Sequence, residues 1–273
     1  MSKPSPSPSS GRSARSRIGR VERTIDLNAD VGEGSGDSRR GADASLLDLV
    51  SSASIACGFH AGDARTMRDT VCAARDRSVA IGAHPSYPDL PGFGRRELGT
   101  SPDHIRWAVH SQIDALANVC AQAGARLSYA KPHGALYNRA TVDRDAAAAI
   151  VEAVTAFDPA LCLLCPADSE LATAAARAGL AHVAEAFADR AYQSDGRLVS
   201  RERAGGVLSD PESAADRALA LVLRGTIETI EGRSLRLEAQ SICVHGDGDT
   251  ALPMLRILRR RLEEAGIAIE RFA

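Results

Sequence analysis

The sequence predicts an α/β fold, a parallel β/α barrel of seven strands, or of eight if a short final run is counted. Three observations predict it. From Thr24 onward, short runs of Ile, Val, Leu and Ala alternate with longer segments whose apolar residues recur every three or four positions, the mark of repeated strand–helix units. Seven or eight such units in about 250 residues suit a closed barrel better than a doubly wound open sheet, the structural alternative. Polar, chemically competent residues follow nearly every apolar run, at the same phase of the alternation.

Before the alternation begins, residues 1–22 read as a disordered extension. The first twenty hold no carboxylate and are rich in Ser, Pro and Arg, so they offer too little apolar surface to offset the entropy of ordering. Residues 23–273 read as one barrel domain. Its seven strand candidates are TIDLNAD (24–30), ASIACGF (53–59), VAIGAHP (79–85), RLSYAKP (126–132), LCLLCPA (161–167), HVAEAFADR (182–190) and SICVHGD (241–247). IAIERF (267–272) is either an eighth strand or a tail packed outside the barrel. Between the runs, Met67, Val71 and Ala74 mark a helix after Asp63. Ile105, Val109, Gln112, Leu116 and Val119 mark another, which Ser101 or Asp103 is placed to cap. Ala-rich helices are expected over 143–156, 168–179 and 211–224, and an Arg-rich one after Asp249.

Composition narrows the function. The 273 residues carry a formal net charge of −2 and no apolar stretch near the ~20 residues of a membrane span, so neither nucleic acid nor a bilayer is an expected partner. The six cysteines lie in apolar surroundings, as free thiols of a reducing cytoplasm do, and Cys162 with Cys165 reads as a buried strand rather than half a zinc site. No GxxxxGK[ST], GxGxxG or GxSxG is present.

In a parallel barrel the reacting groups gather at the carboxyl ends of the strands, where all the loops meet at one mouth. Those ends hold Asn28, Asp30 and Glu33; His60 and Asp63; His84; Lys131 and His133; Asp189 and Arg190; and His245, Asp247 and Asp249. Four of the seven histidines are among them. Taken singly, each histidine is more ordinarily a structural residue; convergent acids, imidazoles and a lysine supply acid–base catalysis, anion binding or metal binding. The loop HPSYPDLPGFGRREL, with three prolines and two glycines between residues 84 and 94, reads as a shaped lid carrying Arg95 and Arg96. YQSDGRLVSR reads as a second flap from Tyr192 to Arg201, with Asp195–Gly196 signalling a type I′ hairpin.

Six motifs in order, DLNADVGEG, SSASIACGFHAGD, IGAHPSYPDLPGFGRREL, KPHGALYN, EAFADRAYQSDGRLVSR and CVHGDGD, closely resemble the LamB/YcsF family from about Ile25 to the C-terminus. The resemblance implies a seven-stranded barrel related to glycoside hydrolases and polysaccharide deacetylases. Members include the A component of the ATP-dependent bacterial 5-oxoprolinase, which implies hydrolysis of a cyclic amide, 5-oxo-L-proline, to L-glutamate, with ATP as co-substrate, Mg²⁺ accompanying it, and 5-oxoprolinase subunits B and C as partners. On that reading Asp30, His60, Lys131 and His133 form the catalytic set, with Asp30 or His133 as base. Asn28, Glu33, His84, Arg95, Asp189, Arg190, His245 and Asp247 bind substrate or anions. A tightly bound metal, its identity open, would draw on Asp30, Glu33, His60 and His133. Two other readings stand beside it: a stand-alone metal-dependent hydrolase acting on N-acyl groups, and a non-catalytic component that only binds the lactam.

Overall fold

A computed structural model of the chain describes residues 23–34 and 37–273; the extension expected over 1–22 lies outside the described residues. The chain runs β1 (Thr24–Val31), α1 (Asp37–Leu47), β2 (Ser52–Ala56), α2 (Ala64–Asp76), β3 (Ala80–His84), α3 (Pro102–Gln122), β4 (Leu127–Ala130), α4 (Gly134–Val142) and α5 (Arg144–Phe157). It continues through β5 (Cys162–Cys165), α6 (Glu170–Ala178), β6 (His182–Phe187), α7 (Pro211–Arg224), β7 (Thr226–Glu228), β8 (Ser234–Arg236), β9 (Ser241–His245), α8 (Ala251–Glu264) and β10 (Ala268–Ile269).

Seven strands pair in parallel in the order β1-β2-β3-β4-β5-β6-β9, and β9 pairs with β1, so the sheet closes into a barrel. The register across the seam sets Asp26 opposite Ser241 and Asp30 opposite His245. The seven-strand expectation is met. The final run is a short strand: β10 pairs with Thr24 and Ile25 at the start of β1, and Phe272 then tilts against Tyr129 at 5.1 Å.

β1 shows how the sequence builds both faces of such a wall. Ile25, Leu27, Ala29 and Val31 join the main apolar core, while Asp26, Asn28 and Asp30, alternating with them, are equally buried and make polar contacts. Asp26 accepts hydrogen bonds from Ser51 and Ser52 at 2.7 and 2.6 Å and from Ser241. Gly82 is required in β3, because a Cβ there would lie 2.2 Å from the Tyr129 ring.

The expected helices form, and their caps are visible in the sequence. Asp63 accepts from Thr66 N at 2.7 Å to open α2, and Ser101, rather than Asp103, caps α3. Gln112 on the buried stripe of α3 does more than pack: its amide pairs with both the N–H and the carbonyl of Ser86 at 3.0 and 2.9 Å, pinning the lid loop. Three elements went unread in the sequence: α1, α4 and the β7–β8 hairpin. The flap is a hairpin of a different type from the one expected. Gly196 N bonds Gln193 O and Gln193 N bonds Arg197 O, while Asp195 keeps a negative φ and only Gly196 is left-handed at +86°. That is a three-residue loop built on a type I turn, since a type I′ turn needs positive φ at two central residues.

Candidate active site

At the carboxyl ends of the strands lies a cleft of about 540 Å³ lined by Asp30, His84, Arg95, Lys131, His133, Arg190 and His245 among the expected residues, joined by Glu185, Phe187, Tyr137 and the flap from Gln193 to Glu202. Its floor is a buried ion cluster. Lys131, the first residue after β4, is 1% exposed, and its ammonium sits 2.6 Å from Asp30 Oδ1 and 3.0 Å from Glu185 Oε1. It also donates to Asn28 Oδ1 at 3.2 Å, and Asn28 in turn donates to Glu185 and Ser241. Tyr137 on α4 donates to the other Glu185 oxygen at 3.0 Å.

The electrostatics follow from this packing. Burial pushes the Asp30 carboxyl toward neutrality, yet His84 and the Lys131 ammonium outweigh it and hold the group well below the usual carboxylate range. Burial likewise opposes the charge on Lys131, and Asp30, Cys243 and Glu185 reverse that, keeping it firmly protonated. One cation therefore faces two acids, so the floor has no spare positive charge for an anionic ligand.

Beside the floor stands a group of three imidazoles and a carboxylate. His84 Nε2 is 3.4 Å from Asp30 Oδ2 and 3.0 Å from His133 Nδ1. His60 stacks on His133 at 3.8 Å, nearly parallel, and its Nε2 lies 3.2 Å from Glu33 Oε1. Burial lowers the His60 imidazole to about 4, and burial with the neighbouring Asp30 carboxylate raises Glu33 to about 7. His133 is engaged at both ring nitrogens, with Nε2 2.9 Å from Phe93 O in the lid.

The rim carries the remaining expected residues. His245 Nδ1 lies 2.8 Å from Asp189 Oδ2, and its ring stacks on Phe187 at 5.0 Å. Despite burial, that imidazole holds the Asp189 carboxyl low. Arg95 pairs with Asp247 at 2.5 Å and lies over the Phe93 ring. Arg190 is buried and gives its guanidinium to the carbonyls of Gly206 and Val199, so it holds the flap by its backbone. Arg96 turns away to Asp89.

Of the twelve expected site residues, all lie in or against this one region, although Asn28, Glu33, His60, Asp189 and Asp247 stand behind the residues that line the cleft. Reading the sequence missed Glu185, Tyr137 and Arg201. A lone acid inside the apolar run HVAEAF was the available signal for Glu185, by the same logic that picks Asp30 from β1. Arg201 lines the cleft from the flap and makes no direct hydrogen bond or ion pair among the described residues, although its charge helps hold the Asp189 and Asp247 carboxyls low. Nothing in its sequence neighbourhood separates it from Arg197, which is tied to Asp195.

The sequence profile of the LamB/YcsF family matches residues 25–273. The chain belongs to the LamB/YcsF family. A curated relative in Pseudomonas syringae pv. tomato, named as an A component of 5-oxoprolinase, is 51% identical over 251 residues, covering 92% of this chain and 98% of that protein. A crystal structure of a lactam utilization protein from Thermus thermophilus is 43% identical and superposes with a TM-score of 0.85 over 91% of this chain and all of that one. The catalytic domain of a peptidoglycan N-acetylglucosamine deacetylase from Eubacterium rectale shares the fold alone, at 10% identity and a TM-score of 0.52, with 92% of this chain and 89% of that one covered. This LamB/YcsF chain thus has the deacetylase-like barrel that its motifs implied.

Proposed function

We propose that this chain is the A component of an ATP-dependent 5-oxoprolinase, which with subunits B and C opens the lactam of 5-oxo-L-proline to L-glutamate while ATP goes to ADP and phosphate. The observation that carries the reading is the cleft with its ionised floor and arginine-bearing rim, in a chain half identical, over nearly its whole length, to a protein of that name.

The chemistry makes three demands, and the cleft has groups suited to each. A five-membered lactam is a resonance-stabilised amide, and water attacks it slowly until its oxygen is phosphorylated. Its carboxylate needs a cation that is not already neutralised. Arg201 fits that need, and Arg95, shared with Asp247, is the second candidate. The attacking water needs a base. His245 fits better than His133: Asp189 occupies its Nδ1, fixes the ring and leaves Nε2 for the cleft, whereas both His133 nitrogens are engaged. Asp30 and Lys131 form the polar floor, where charge developing on the amide meets fixed dipoles rather than water. ATP and its Mg²⁺ enter through the complex.

Co-expression with the candidate partner proteins, followed by measurement of lactam-dependent glutamate and phosphate release, tests the reading. We expect both products in equal amounts with wild type, and loss of both with His245→Asn in a complex that still assembles. Glutamate release by this chain alone without ATP would overturn it.

A further inference from the structure

The imidazoles of His84 and His133 pose a problem of protons. His84 Nδ1 lies 2.7 Å from the carbonyl of Lys131, and His133 Nε2 lies 2.9 Å from the carbonyl of Phe93. A carbonyl oxygen only accepts, so both of those ring nitrogens carry hydrogen. In the neutral imidazoles the remaining nitrogens, His84 Nε2 and His133 Nδ1, are then bare lone pairs, and they face each other at 3.0 Å. Two bare lone pairs at that distance repel; a cation between them removes the conflict.

We propose that Glu33, His60, His84 and His133 bind one divalent transition-metal ion, of the zinc type, through Oε1, Nε2, Nε2 and Nδ1. These four atoms all lie within 4.8 Å of one another. Four of the edges between them are 3.0, 3.2, 3.4 and 3.9 Å. Ligands ~2.0–2.1 Å from a tetrahedral ion sit roughly 3.3 Å apart, and cis ligands of an octahedral one roughly 2.9 Å, so these four edges fit with small shifts, while the His60 ring, stacked on His133, must turn for its Nε2 lone pair to reach the same ion. A shared proton would also satisfy the His84–His133 edge, with Asp30 and Glu33 facing the charged pair, and the His60–Glu33 edge is an ordinary hydrogen-bond distance; what sets the metal apart is that all four donor atoms converge on one point. For His84 and His133 the carbonyl bonds supply the support a metal-binding imidazole usually has, a hydrogen-bonded second nitrogen that fixes tautomer and ring plane; His60 Nδ1 is buried without such a partner. Three nitrogens and one oxygen form a borderline-soft set, which selects zinc-like ions over the oxygen-seeking Mg²⁺ that travels with ATP. Because Phe93 and Gly94 belong to the lid, the ion would also tie lid position to the histidine group.

The inference does not rest on the lactam reading, and its test involves no turnover. Full-length protein without a polyhistidine tag is stripped with a chelator, checked for native circular dichroism, and titrated with Zn²⁺ alone by calorimetry and with Co²⁺ by absorption. One equivalent of each is expected, with the visible bands of bound Co²⁺. His133→Gln is expected to weaken Zn²⁺ binding by at least 100-fold; should that variant not fold, Glu33→Gln, which removes only a charge, is expected to weaken it at least tenfold. Folded wild type that takes up less than a tenth of an equivalent overturns the proposal and leaves a shared proton between the rings. Equal affinity for Mg²⁺ and Zn²⁺ overturns the assignment of the ion.

Discussion

Lys131 carries one positive charge between the carboxylates of Asp30 and Glu185, all three nearly inaccessible to water. Removing one partner of such a cluster strands the others, at a typical cost of about 3–5 kcal/mol. Lys131→Met is therefore expected to lower the urea midpoint sharply, with full loss of the fold as the extreme case. Arg201 differs, because it sits on the flap with no direct ion pair and only the more distant Asp189 and Asp247 for acidic neighbours, rather than in the core. Arg201→Gln is expected to leave the melting temperature unchanged and to raise the KM for the lactam by about 10–100-fold, the worth of one charge-assisted hydrogen bond of about 1.5–3 kcal/mol. An unchanged KM would remove Arg201 from substrate binding. Asp26 gives a pH signature at the opposite end of the barrel. Burial, only partly offset by its serine donors, raises its pKa from 3.8 to about 6. The folded state thus keeps a proton that the unfolded chain has already lost. Stability from this group is whole below about pH 4 and is lost as pH rises through about 6. Asp26→Asn should flatten that dependence, and the difference between variant and wild type across the window, read by urea denaturation at several pH values, is expected to reach at most about 3 kcal/mol.

At the scale of elements, the lid and α4 explain why the motif KPHGALYN has its glycine. Gly134 opens α4 with φ of +55°, and a Cβ there would stand 2.6 Å from the carbonyl of Gly94, which accepts a hydrogen bond from Ala135 N at 2.9 Å. Lid and helix therefore touch backbone to backbone, and Gln112 clamps the lid's other end at Ser86. Gly134→Val is expected to cost about 1–3 kcal/mol in strain and to lift the lid, seen as faster limited proteolysis between residues 88 and 92. Cleavage at the wild-type rate would show that the lid is held elsewhere. The proline and glycine density made this loop legible as a shaped element, but its anchors were not. Gln112 sits on the apolar stripe of α3 as any helix residue might, and its amide has a function only once Ser86 is folded against it. The flap was legible from Asp195–Gly196, while the turn type depended on backbone angles that the dipeptide alone does not fix.

On the scale of the whole molecule, the chain closes its barrel at both ends with different chemistry: an ionised cleft at the carboxyl ends of the strands, and the Tyr129–Phe272 contact beside Ala80, Cys162 and Val183 at the other. Removing residues 271–273 is expected to cost about 1 kcal/mol of aromatic contact, a drop of about 2–4 °C in melting temperature, without altering turnover in the assembled complex. A loss of turnover would mean that the two ends are coupled. The sequence by itself determined the alternation, the seven strands, the family and the collection of acids and imidazoles at one phase of that alternation, because strand period, helix period and strand-end position are local properties of the chain. Only the tertiary structure decided which charges are spent on one another. That Lys131 is neutralised is a consequence of closing the barrel, which brings β1 against β9 and sets residues a hundred or more positions apart within hydrogen-bonding distance. That Arg190 holds flap backbone, that Arg201 has no direct ion pair among the described residues and that His84 Nε2 faces His133 Nδ1 at 3.0 Å follow from how the loops pack over the mouth.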